Sequence, residues 1–162
     1  MIYDAVEQAY TVAAANFTAD LNALAAAKGV TAPPAATLIK RQRAETYIAL
    51  GAALPALGIY LLRVATQAKS QGKRDSVVSL VFDYYLEGTD PTLLAKQAEL
   101  AAEAVLRTVD RLADAGSGIY GAGEGSGSVT IELSDGYDPA DENKFFHRAQ
   151  VTVPVWDEDT GL

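Results

Sequence analysis

The chain contains no cysteine. Disulfides, thiolate nucleophiles and cysteine metal sites are therefore excluded. Histidine occurs once, at His147. Triads and histidine metal sites need such a residue beside partners that the sequence does not identify, so His147 reads as a surface or interface residue. No apolar run reaches membrane-spanning length. The stretch from Ala44 to Leu62 comes nearest, but Glu45, Gly51, Pro55 and Gly58 interrupt it. The start, Met1-Ile2-Tyr3-Asp4, has an early acid and no basic region, which argues against a signal peptide. Basic charge is scarce: 13 Lys and Arg stand against 21 Asp and Glu, a net charge of −8. A protein that grips nucleic acid without sequence preference is normally basic, because phosphate neutralisation supplies its affinity. An acidic surface is still compatible with lining a passage for DNA, where adhesion would hinder, but the charge alone is no signal of that role.

Catalytic patterns are scarce too. There is no G-x-S-x-G, and Gly72-Lys73-Arg74 lacks the upstream glycine and the following Ser or Thr of a phosphate-binding loop. Gly116, Gly118 and Gly121 satisfy G-x-G-x-x-G. That motif needs a strand before it and a helix after it, and here the predicted order is reversed. Asp135, Asp138, Asp141 and Glu142 are close enough to consider for calcium, but their spacing departs from the EF-hand pattern, and a solvated acidic loop is the simpler reading. Nothing selects a pair of carboxylates for glycoside hydrolysis. The sequence thus offers no catalytic, metal or cofactor site.

What is present is a chain of 162 residues, 49% hydrophobic and 21% charged, enough for one domain over 1–162 with a real core. Ile2, Val6, Ala9, Ala13, Phe17, Leu21 and Leu24 recur at spacings of three and four and predict a helix from about Tyr3 to Lys28, capped by Gly29. Pro33-Pro34 breaks the chain, and 35–50 reads equally as a short helix or an extended connector. Strands are predicted over Leu57 to Gln67, after Leu54-Pro55, and over Ser76 to Leu86. In the second, Val78, Leu80, Phe82, Tyr84 and Leu86 share one face and Ser79 and Asp83 the other. The pair reads as a long hairpin around Lys69 to Asp75. Asp90-Pro91 opens a helix to about Ala115. A Gly/Ser-rich stretch follows, then a strand over Ser128 to Ser134 with Val129, Ile131 and Leu133 inward, and an acidic turn or loop over 135–143. The last strand places Ala149, Val151, Val153 and Val155 on one face. Pro154, together with Asp157, Glu158 and Asp159, reads as protection of a free sheet edge. Segments near 68–75, 116–127 and 135–144 are expected to be mobile. The fold expected is α+β, with a mostly antiparallel four-stranded sheet and helices packed on one face.

This order of elements resembles the tail terminator, or tail completion, proteins of long-tailed bacteriophages (minor tail protein U-like). The resemblance is carried by the N-terminal helix, by Leu54-Pro55-Ala56-Leu57-Gly58-Ile59-Tyr60 entering a strand, by the strand Ser76 to Tyr85 with the helix after Asp90-Pro91, and by Phe145 to Val155 at the end. It covers most of the chain; 31–53 and the glycine-rich loop have no counterpart. It implies a structural virion protein, not an enzyme and without a cofactor, which forms a hexameric ring on the tail tube and meets the head connector, with DNA passing through unread. It also implies assembly in the bacterial cytoplasm and no membrane.

A closed ring needs two different matching patches on each copy. The candidates are the basic residues Lys40, Arg41 and Arg43, the basic hairpin loop with Lys69, Lys73 and Arg74, and the acids Asp135, Asp138, Asp141 and Glu142. The ordinary reading of each is a solvated face or a turn; the sharper one pairs a basic patch with the acidic patch of the next copy. A head-closure or connector ring and, from a different class, a small-ligand-binding module or an enzyme with an acidic site remain alternatives.

Overall fold

The structure, a computed structural model, describes residues 2–49, 53–68, 74–114, 119–120 and 129–159. Helix α1 spans Ile2–Lys28. Its stripe Val6, Ala9, Ala13, Phe17, Leu21 and Leu24 is buried, as the spacing requires. Gly29, at φ 65°, ends it, and Val30 N–H donates to Ala25 O at 2.9 Å in a Schellman-type cap. Helix α3 spans Pro91–Asp114. The Oδ1 of Asp90 accepts from Thr92 N and Leu93 N, so the predicted cap is in place. A bidentate pair from Arg111 to Asp20, one bond of it 2.8 Å, ties α3 to α1.

The ambiguous segment 35–50 supplies both a strand and a helix: β1, Thr37–Lys40, and α2, Ala44–Ala49. The hairpin is formed by β2, Ala56–Ala68, and β3, Arg74–Gly88. The chain then adds β4, Ile119–Tyr120, β5, Thr130–Asp138, and β6, Asp141–Asp159. The sheet thus has six described strands, not four, in the order β1-β2-β3-β6, with β5 and β4 end to end along the far side of β6. It is mixed, because β1 runs parallel to β2 while every other pair is antiparallel. The extra parallel strand was hidden because four residues are too few to show a period.

Helices α1 and α3 cover one face. Leu57, Ile59, Leu80, Phe82, Tyr84, Ala149, Val151 and Val153 pack there in one core with Phe17, Ala101 and Val105. The expectation that all helices share this face is corrected by α2. Residues 41–46 cross the opposite face, where Ala44 packs with Ile39 and Ala56. They cross so near β2 that a Cβ on Gly58 would lie 2.5 Å from Gln42 O, so only glycine fits.

Two further expectations are corrected, and one is made definite. The last strand is interior, flanked by β3 and by β5 with β4. Pro154 lies between Thr152, where β5 pairs, and Trp156, where β4 pairs, a position that tolerates a missing N–H. The acidic stretch 135–143, read as a turn or loop, is a tight hairpin: Pro139-Ala140 form the turn, and the strands on either side run to Asp138 and from Asp141. Ile131 and Leu133 are on the helix-side face, opposite Val151 and Ala149, but they are exposed. Alternation assigned the face correctly; β5 lies beyond the cover that α3 gives to its neighbours. Of the segments expected to be mobile, 69–73, 116–118 and 121–127 lie outside the described residues, and with them Gly116, Gly118 and Gly121.

Candidate interaction surface

Two charged regions singled out from the sequence occupy opposite edges of the sheet. At the β1 edge, Lys40 and Arg41 both reach back to Glu7 of α1, at 2.9 and 2.7 Å. These bonds hold the Glu7 carboxyl below the usual carboxylate range, Lys40 first and Arg41 second. Lys40 also lies 4.5 Å from the Tyr10 ring centroid. Arg43 stands 5.8 Å from the Tyr60 ring. Beside them opens a groove of 670 Å³, lined by Val6, Arg41, Arg43, Thr46, Tyr60 and Leu61. The basic segment is thus a partly paired rim around a groove at the end of β1. Of the second basic group, Lys69 and Lys73 lie outside the described residues, and Arg74 begins β3 opposite Ala68.

At the other edge, Asp135 sits on β5 opposite His147. Asp138 and Asp141 flank the turn. Each carboxylate accepts a backbone N–H two residues on, from Ala140 at 2.9 Å and from Asn143 at 3.0 Å. That is a local Asx-turn role, which directs these oxygens at backbone rather than at a shared cation. Glu142 is exposed. Lys144 bonds Glu87 at 3.0 Å, and this bond, with the field of Asp138 and Asp141 behind it, raises the lysine's pKa. His147 shares the helix-side face with Ala149 and lines a small cleft with Ala95, Ala98 and Glu99 of α3.

The sheet edges themselves were missed in the sequence. Beyond Ile59, where β1 stops pairing, no strand borders β2 among the described residues. Residues 62–66 and 68 there are exposed, Leu62 at 55% and Val64 at 42%. A bulge between Leu61 and Arg63 makes Leu62 an extra residue in the strand. The outer edge of β5 likewise has no neighbour among the described residues. It carries Ile131, Leu133 and Tyr137, all exposed, with Glu132 and Asp135 between them. Long edges with exposed apolar side chains invite pairing with another chain.

The face of the sheet opposite α1 and α3, which residues 41–46 cross, holds a polar network. Arg148 Nε and Nη2 donate to the two oxygens of Asp83 at 2.6 and 3.1 Å, and Nη1 donates to Glu45 at 2.8 Å. Gln150 donates to the Tyr60 hydroxyl at 3.0 Å. Asp83 is fully buried. This network fastens α2 to the middle of the sheet; its groups are mutually satisfied, which marks it as structural. Among the described residues no group of three His, Cys, Asp or Glu side chains is placed to hold a metal, and no helix is long and apolar enough to cross a membrane. No protein-family model matches the chain, and no curated protein matches it.

Proposed function

We propose that this chain is a structural protein of the neck of a long-tailed bacteriophage virion. It forms a homo-oligomeric ring, a hexamer by the resemblance of its sequence to tail terminators. The ring ends the tail tube and meets the head connector; it performs no catalysis and uses no cofactor. The observation that carries this reading is a pair of unlike edges, at opposite ends of one sheet, that no strand borders among the described residues. Unlike patches on opposite sides make a head-to-tail contact, and such a contact closes into a ring when the rotation permits. The charge distribution supports it further. The exposed residues of β5 that point away from the helices are Thr130, Glu132, Ser134 and Gly136, with no lysine or arginine among them. The distal part of β2 adds one exposed cation to that face, Arg63, and the chain's net charge of −8 favours a channel through which DNA passes without adhesion.

The test is to add the purified protein to tail tubes that lack a terminator. Electron microscopy is expected to show one added ring at a single end and no further tube growth on new subunits. Tubes that keep growing with no added density would remove the terminator reading, and binding to head connectors alone would make the chain a head-closure ring.

A further inference from the structure

Resting on the ring reading, we infer that the copies join by sheet extension: the outer edge of β5 pairs, on a second copy of this chain, with the distal half of β2, which no strand borders among the described residues. Strand polarity permits this. From β2 through β3 and β6 to β5 the directions alternate. A β2 placed beside β5 with all copies in the same orientation is therefore antiparallel to it.

Side-chain chemistry selects the register. Through Val78, Val64 belongs to the helix-side face; through Ser79, Arg63 belongs to the opposite one. Ile131 and Leu133 belong to the helix-side face and Glu132 to the opposite one. Setting Val64 opposite Ile131 sets Arg63 opposite Glu132, so apolar meets apolar on one face and opposite charges meet on the other. Leu61 and the bulged Leu62 then both fall against Leu133. Asp135 arrives at the level of Ile59, the last residue of β2 that pairs with β1, beside Lys40 and Arg41. Pairing ends there, because β1 occupies the edge of β2 from Ala56 to Ile59. The described part of the distal β2 edge carries Arg63 and no acid, whereas β5 carries Glu132, Asp135 and Asp138 and no base.

The same register meets the geometric condition for closure. Within one copy, Ile131 is level with Val151, Phe82 and Ile59; across the contact it is level with Val64. The shift from Ile59 to Val64 includes the extra residue Leu62, leaving four steps for the four strands β2, β3, β6 and β5. A stagger equal to the number of strands corresponds to a strand tilt of about 36°, inside the range of about 35–45° that closed barrels adopt. An unstaggered contact would not close.

The absence of native cysteine allows a direct test. In the double variant R63C/E132C, mild oxidation is expected to give a ladder of disulfide-linked oligomers on denaturing gels. Both positions are exposed, so folding is unaffected. An internal bridge is excluded, because two strands separate the sites by about 14 Å, beyond disulfide reach. A mixture of the two single variants is expected to stop at the dimer, and the out-of-register variant T66C/E132C to link at least tenfold less. Independently, R63E and E132R are each expected to weaken assembly at least tenfold, and R63E/E132R to restore it. Rings that form without the 63–132 link would overturn the edge pairing and leave the ring reading standing. A chain that neither assembles nor links at any concentration would overturn both. Linking to tail-tube protein alone would assign these edges to a different partner and overturn the self-pairing.

Discussion

Replacing Arg148 by methionine should leave a buried charge without its counter-ion. Asp83 is 0% exposed and holds the guanidinium through two bonds of 2.6 and 3.1 Å. Methionine fills much of the arginine stem's volume, so the cost arises from the stranded carboxylate rather than from a cavity. Breaking a buried pair from one side costs about 3–5 kcal/mol. The lost bond to Glu45 adds little, because Glu45 is about half exposed and surface pairs contribute about 1 kcal/mol or less. At roughly 2–4 °C per kcal/mol for a chain of this size, Tm should fall by about 6–20 °C. Urea unfolding followed by circular dichroism gives the free energy directly. The double variant D83L/R148M removes both charges and should recover most of the loss, since a buried ion pair is often matched by apolar residues of similar volume. A loss below about 1 kcal/mol in R148M, or a double variant less stable than the single, would refute the claim that an uncompensated Asp83 sets the cost.

Two further perturbations examine the helix side. The Tyr84 hydroxyl is buried with no hydrogen-bond partner among the described residues, and burial pushes its pKa well above the usual tyrosine value. Tyr84→Phe should therefore be neutral or stabilising by about 1–2 kcal/mol in denaturant unfolding, because an unsatisfied buried hydroxyl is removed; a clear loss would show that the hydroxyl is satisfied. Asp20 is held below its ordinary pKa of 3.8, first by the hydrogen bonds from Arg111, which outweigh its burial. Its stabilising contribution is then complete above the unfolded value and is lost as pH falls through the lower folded value. Tm of the parent should decline below about pH 4, and Asp20→Asn should start lower at neutral pH and decline less in acid; parallel acid limbs would refute the role of this pair.

Much of the fold was legible because its long elements carry strong periods. The Val6-to-Leu24 stripe, the Val78-to-Leu86 alternation and the Asp90-Pro91 start each became the predicted element. Thr37–Lys40 and Ala44–Ala49 were not legible, since their placement depends on the backbone crossing over Gly58 rather than on any local pattern. The edges illustrate a different limit. Alternation shows that Ile131 and Leu133 share a face, but whether a helix lies above that face is a property of the tertiary layers. Pro154 pointed toward an edge, yet the proline falls between two ladders of an interior strand. The acids 135–142 were found as a cluster; that Asp138 and Asp141 are occupied by turn amides required coordinates.

The central claim is head-to-tail assembly of identical copies, and the most direct measurement is the mass of the purified chain by light scattering across a concentration series, with negative-stain images of the heaviest species. The account predicts growth with concentration to one discrete closed species seen as a ring. A monomer at every concentration, or a species that stops at a two-fold dimer, would contradict it.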